Sequence, residues 1–312
     1  MGAAPTAFTP RHVAAPLPAG HRFPMQKYER LASALERDGW RLEPSPPASW
    51  SVLAAVHDAA YLRAVRTLRL DARAERRLGF PQSAALVERS RASTGGTVAA
   101  LGAALEHGLG LHLAGGTHHA FADRGEGFCV FNDLVVAARV HRPRARRVLV
   151  IDLDVHQGNG TATLADGDPD LITYSVHGAR NYPFEKARSD LDRALGDGVD
   201  DDGYLAVVAD DVPRLLRAYA PDAVLYQAGV DVLAGDRFGR MALSLEGVER
   251  RDALVAEACL DAGVPLAYTL GGGYHRDVEV TIEAHRRGLH AIARAWRRRT
   301  VAPTRAERAN VC

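Results

Sequence analysis

The sequence predicts a single-domain, three-layer α/β/α protein built on a mainly parallel sheet, and three observations carry that reading. Short apolar runs, each ending in a polar or glycine-rich turn, recur at 111–114, 147–151, 171–176, 223–228 and 265–270, as expected for strands buried on both faces. Segments of helical period lie among them at 127–140, 204–219, 246–262 and 280–298, the alternation that βαβ units require. No Ser/Pro/Gly-rich linker interrupts residues 20–299, which read as one domain. The Ala- and Pro-rich residues 1–19 and the polar residues 300–312 read as flexible ends.

Composition narrows the function classes. A chain of 312 residues, 47% hydrophobic and 25% charged, is that of a soluble globular protein. Its formal net charge of +1 supplies no long-range field for nucleic acid or an anionic membrane, so function must reside in a site. The Arg-rich stretches at 286–287 and 294–299 read as the solvated face of a terminal helix. Cys129, Cys259 and Cys312 are too few and scattered for a disulfide framework or a zinc finger, and read as free thiols of a reducing cytosol. No stretch approaches the roughly 20 apolar residues of a membrane span, and an apolar signal core is lacking, so the expected location is cytoplasmic. Of 39 basic residues only Lys27 and Lys186 are lysines, which a GC-rich genome accounts for.

In parallel sheets ligands bind beyond the carboxyl ends of the strands. Nearly all chemically capable side chains here follow such ends: Thr117-His118-His119, Asp152 to His156, Ser175-Val176-His177, Gly229-Val230-Asp231 and Gly271-Gly272-Gly273-Tyr274. Asp154 and His156 can ligate one cation from a single strand end, with Asp231 from another turn. Two carboxylates and one imidazole leave a coordination position open, as in a catalytic zinc site. The tandem His118-His119, with Asp152 and Asn159 as candidate tautomer-fixing partners, suggests proton handling beside the metal. Tyr274, after three glycines, can donate to a developing oxyanion. His21, His57 and His177 read as supporting residues, with His57 fixing a helix start, and 190–202 reads as an acidic surface loop.

The strings GGTHHAFADRGEGFCVFND, DLDVHQGNGT, QAGVDVLAGDRFGR and LGGGY resemble the histone deacetylase superfamily, nearest its class IV type and bacterial relatives. The resemblance runs from about residue 20 to about 298. It implies an arginase/deacetylase-like fold and zinc, or iron(II), on Asp154, His156 and Asp231. It makes His118 and His119 the pair that activates water and protonates the leaving amine, and Tyr274 the oxyanion donor. Gly127 and Phe128 fall on one wall of an acyl-lysine tunnel, Tyr182 on the other and Phe238 near the mouth, with Gly272 also assigned to the substrate. Asp152, Ser175 and carbonyls of Asp154, His156 and Val176 fall where the family binds structural potassium.

The implied activity is removal of an acetyl or longer acyl group from acyl-lysine in protein or peptide, with acetylated polyamines or small metabolites as alternative substrates. Asn159 departs from the aspartate of class I members and marks a subfamily. Two rivals fit less well. An arginase-like dinuclear site needs further bridging carboxylates, yet Gln157, Gly158 and Asn159 follow His156. A non-catalytic acyl-amine reader is expected to lack a histidine, a ligand or the tyrosine, and none is missing.

Overall fold

A computed structural model describes residues 7–301. Eight strands, β1 (Ala7–Thr9), β2 (Leu42–Pro44), β3 (Leu109–His112), β4 (Val148–Asp152), β5 (Leu171–Gly178), β6 (Leu191–Leu195), β7 (Ala223–Gln227) and β8 (Leu266–Thr269), form one sheet. Their order is β2, β1, β3, β8, β7, β4, β5, β6, and every neighbouring pair is parallel. The helices are α1 (Gln26–Arg37), α2 (Trp50–Leu53), α3 (Ala59–Arg66), α4 (Ala72–Leu78), α5 (Ala84–His107), α6 (Asp133–His141), α7 (Asn159–Ala165), α8 (Asp201–Tyr219), α9 (Leu245–Ala262) and α10 (Val278–Val301).

The central strands have two buried faces, which is why their sequences run apolar without alternation. Leu149 and Ile151 of β4 enter a cluster with Tyr204 and Val208 of α8, Val255 of α9 and Ile292 of α10. Val148 and Val150 enter another with Leu101 and Ala104 of α5 and Leu134 and Val135 of α6. Helix α5 lies close on the sheet because β3 has Gly110, where a Cβ would stand 1.8 Å from the Ala100 carbonyl oxygen. A third cluster joins α3, α4 and the start of α5 to Phe131 and supports the mouth of the site.

All five strands expected from apolar runs are present, with ends within two residues of those runs. Three others are too short or too polar to show a period. The segment 1–19, expected to be flexible, contains β1, a strand inside the sheet between β2 and β3. Its Phe8 carbonyl accepts the Leu113 N–H at 2.8 Å. Residues 1–6 and 302–312, also expected to be flexible, lie outside the described residues. The expected loop 190–202 carries the edge strand β6 and the Asp200 cap of α8, whose side chain accepts from Gly203 N–H. Its acids hold neighbours: Asp190 accepts from Thr173 N–H at 2.8 Å and Asp192 from Gln157 Nε2 at 2.8 Å.

The helix expected over 127–140 begins only at Asp133. Gly127 and Phe128 have φ of 54° and 67°, incompatible with a helix, and Asn132 caps α6 through the Val135 N–H. His57 does not cap α3. Its Nδ1 donates to the Phe121 carbonyl at 2.8 Å and its Nε2 accepts the Asn132 N–H at 3.0 Å, tying the loop after the histidine pair to the start of α6.

Candidate active site

The loops after β3, β4, β7 and β8 converge at one end of the sheet. Strands β8 and β7 lie between β3 and β4, so the histidine pair and the Asp-x-Asp-x-His segment meet above their ends. Asp154, His156 and Asp231 are 1%, 8% and 0% exposed, and one ligand atom from each lies within 4.8 Å of the others. Among the described residues no other such group of three occurs.

Each carboxylate is aimed by the backbone or by an amide. Asp154 Oδ2 accepts from Gln227 Nε2 at 2.9 Å and from Gly272 N–H at 2.8 Å, and Asp231 Oδ1 accepts from Val155 N–H at 2.9 Å. His156 Nδ1 stands 2.9 Å from Asp154 Oδ1 and 3.1 Å from Asp231 Oδ2. Burial, and then the negative charge of Asp154, raise the pKa of the Asp231 carboxyl. A cation would relieve that repulsion, and this mixed oxygen and nitrogen donor set fits zinc or iron(II). Asp152 and Ser175 are register partners on β4 and β5, an oxygen pair suited to a hard cation such as potassium.

Gly272, assigned above to the substrate, lies against the ligands as well as lining the inner cavity. A Cβ there would come within 2.0 Å of Asp231 Oδ2, so only glycine lets its N–H reach Asp154.

Beneath the ligands sits Arg251 of α9, fully buried. Its Nη1 donates to the carbonyls of Gly229 at 2.6 Å and Leu153 at 3.3 Å, and Nη2 to that of Ala228 at 3.1 Å. Burial opposes its charge, but Asp252, which also accepts from Tyr226 at 2.5 Å, keeps it protonated. Arg251→Met leaves Asp252 buried without its cation and removes this donor from the Gly229 and Ala228 carbonyls in the core. Chemical denaturation is expected to show a loss of about 3–5 kcal/mol in unfolding free energy; a loss below 1 kcal/mol would contradict this role.

The two histidines differ in environment. His118 Nδ1 is 2.7 Å from Asp152 Oδ2, and His119 Nδ1 is 2.7 Å from Asn159 Oδ1. Burial lowers the pKa of His118, but the charges of Asp152 and Asp154 outweigh it and raise it to about 9. Burial also lowers His119, there reinforced by the charges of His118 and His156, so its pKa lies well below the ordinary value. A neutral His119 donates from Nδ1 to Asn159 and keeps a lone pair on Nε2.

That tautomer depends on Glu126. Asn159 Nδ2 donates to Glu126 Oε1 at 3.2 Å, and Tyr182 hydroxyl donates to the same oxygen. A carboxylate only accepts, so Glu126 points the Asn159 amide nitrogen to itself and the amide oxygen to His119. Glu126→Ala is expected to lower kcat by about 10-fold, within the range for loss of an outer supporting partner, with metal content unchanged. Steady-state kinetics beside elemental analysis would check it, and an unaltered kcat would remove Glu126 from this role.

Tyr274 is held through its backbone: its N–H donates to Asp236 at 2.6 Å and its carbonyl accepts from Arg237 Nε at 2.9 Å. Its ring packs 5.0 Å from Phe238 and 6.0 Å from Phe128. Burial, with the charges of Asp154 and Asp231, raises the phenol well above its ordinary pKa, keeping it a donor. Gly127, Phe128, Tyr182, Phe238 and Tyr274 line a mouth cavity of about 740 Å³ that reaches His119 and His156. A smaller inner cavity of about 70 Å³ lies beside the ligands, lined also by Phe23, Tyr28 and Arg89. Val176 lies within β5, and Ser175 Oγ is 3.0 Å from His177 Nδ1, so these residues border the site without lining either cavity.

Both lysines support this region. Lys27, 1% exposed, donates to the Gly271 carbonyl at 3.1 Å, and its Nζ lies 5.5 Å from the Tyr274 ring centre. Burial lowers its pKa to about 8 against the opposing charges of Asp231, Asp154 and Asp236. Lys186 donates to the carbonyls of Asn181 and Pro183 at 2.5 Å, bracing the loop that carries Tyr182. Gln227 and Asp236 lie inside the string QAGVDVLAGDRFGR, whereas Arg251 lies outside every quoted motif.

The fold and the site define a hydrolase built on the parallel α/β sheet of the arginase/deacetylase type. Residues 21–289 match the histone deacetylase domain family. The chain is 44% identical over 299 residues to an uncharacterized protein of Picosynechococcus sp., covering 93% of this chain and 98% of that one. It is 32% identical over 271 residues to histone deacetylase 2 of Arabidopsis thaliana, covering 81% and 70%. This chain belongs to the histone deacetylase family and is a deacetylase.

Two solved structures share the fold at 23% identity. An HDAC homolog complexed with SAHA aligns with a TM-score of 0.78 over 93% of this chain and 84% of its own. The acetylpolyamine aminohydrolase of Burkholderia pseudomallei aligns with a TM-score of 0.77 over 93% and 98%. Among the described residues no helix is long and apolar enough to cross a membrane.

Proposed function

We propose that the protein is a zinc-dependent amidohydrolase that removes an acetyl or longer acyl group from acyl-lysine in the cytoplasm. The observation that carries this is the buried Asp154, His156 and Asp231 cluster opening onto a cavity that His119 and Tyr274 also line. These three residues would hold zinc, or iron(II), and leave a position open. When bound, zinc supplies a Lewis acid that polarises the acyl carbonyl and lowers the pKa of water from 15.7 toward about 7. Asp152, Ser175 and carbonyls of Asp154, His156 and Val176 would hold potassium and stiffen the ends of β4 and β5.

The protein's own groups do the rest. His119, neutral with a free Nε2, accepts the proton of the attacking water and returns one to the departing amine. His118, hydrogen-bonded to Asp152 through Nδ1, completes the histidine pair. Tyr274 hydroxyl donates to that oxyanion. Hydrolysis of a fluorogenic acyl-lysine peptide, with and without chelator, tests the reading. Activity is expected to vanish with chelator and return with zinc, at one metal per chain. Chelator-insensitive turnover would overturn the metal role, and two metals per chain would favour the dinuclear rival.

A further inference from the structure

We propose that the mouth of this site selects acylated amines set in negatively charged surroundings and rejects polycationic ones, including polyamines and Lys/Arg-rich segments. The inference rests on the deacylase reading above and names its substrate class. Six arginines line the mouth cavity, Arg22, Arg76, Arg77, Arg180, Arg237 and Arg240, and no aspartate or glutamate does. All six are exposed. They come from four stretches: the segment before α1, the last turn of α4, the loop after β5 and the loop beyond Asp231. In a chain of formal net charge +1 this is a local concentration of one sign.

Three carboxylates near the mouth are already engaged. Asp197 is shared by Arg180 at 2.6 Å and Arg240 at 3.3 Å. Asp236 turns inward to the N–H groups of Phe238, Gly239 and Tyr274. Glu126 is occupied by Asn159, Tyr182 and Arg124. Among the described residues no salt-bridge partner lies beside Arg22, Arg76, Arg77 or Arg237, so four arginines that line one cavity lack an ion-pair partner. Folding therefore leaves four of the six guanidinium groups of the mouth unneutralised and one carboxylate shared between the other two.

The charge is coupled to the tunnel. The Arg77 and Leu78 carbonyls accept the Gly127 and Phe128 N–H groups at 3.2 and 2.8 Å, so the end of α4 carries one wall. Arg22 lies over the Phe238 ring at 5.7 Å, and Arg237 donates to the Tyr274 carbonyl. A substrate whose acylamide reaches Tyr274 must pass its flanking groups between these guanidinium groups. Carboxylates and phosphates fit such planar donors in bidentate fashion, and a cleft of one sign raises the encounter rate of opposite charge by about 10- to 10³-fold. Ammonium groups meet the same field as a barrier.

The test uses the metal-loaded full chain and compares kcat/KM for acetyl-lysine peptides flanked by Asp/Glu, by Gly/Ser or by Lys/Arg. An acetylated polyamine, and free Nε-acetyl-lysine against its capped neutral amide, complete the panel. At low ionic strength the acidic peptide is expected to exceed the basic one by about 10-fold or more, the ratio falling toward one near 1 M salt as screening shortens to about 3 Å. R76E/R77E should shrink the ratio of acidic to basic peptide toward one. A preference seen only with free acetyl-lysine would support the anionic chemistry and assign it to a small molecule instead of a protein. Equal rates across the flanks, or faster turnover of the basic peptide or polyamine, would overturn the selection while leaving the deacylase reading intact. Hydrolysis of no member would overturn both.

Discussion

Tyr274→Phe is expected to lower kcat by about 10²- to 10³-fold, equivalent to about 3–4 kcal/mol of transition-state stabilisation. The substitution removes one oxygen and leaves the ring between Phe238 and Phe128, while the backbone clamp from Asp236 and Arg237 does not involve the phenol. Metal content, fold and KM should therefore change little, and the loss should appear in kcat. Burial keeps the hydroxyl protonated far above neutral pH, so the variant should be impaired throughout the enzyme's working range. Activity within a few-fold of wild type would refute the oxyanion role.

His156→Ala should abolish both metal retention and turnover. Without the imidazole only two carboxylates remain, and they are mutually repulsive: Asp231 is already raised by burial and by Asp154. Proton uptake then becomes an easier way than metal binding to neutralise the pair. Elemental analysis of the purified variant should fall from about one zinc per chain to near none, and added zinc should not restore turnover. Unchanged metal content would remove His156 from the ligand set. The two experiments separate the parts of the site, since Tyr274→Phe should keep the metal and His156→Ala should lose it.

The legible part of the site is local in sequence. Asp152, Asp154, His156 and Asn159 lie within eight residues of one another, and His118 and His119 are adjacent, so strand-end position and residue chemistry suffice to single them out. Glu126 stood inside a quoted motif and went unassigned, because its role appears only once Asn159 and Tyr182 are brought to it. Arg251 acts 98 residues away on Leu153, and Lys27 acts 244 residues away on Gly271. Neither contact leaves a trace in local periodicity. Strands β1 and β2 span three residues each, below the length at which alternation can be read, and edge strand β6 has no fully buried residue to mark it.

The sequence by itself determined the parallel α/β class, the strand ends that bear chemistry, and the residue types of the candidate metal-binding centre, because these follow from short-range pattern and side-chain chemistry. Tertiary structure alone decided that β7 and β8 lie between β3 and β4, which carboxylates and amides hold each imidazole, and that six arginines gather at one mouth. Those outcomes depend on the order in which distant strands pack and on which charges folding leaves unpaired, quantities that no stretch of chain contains on its own.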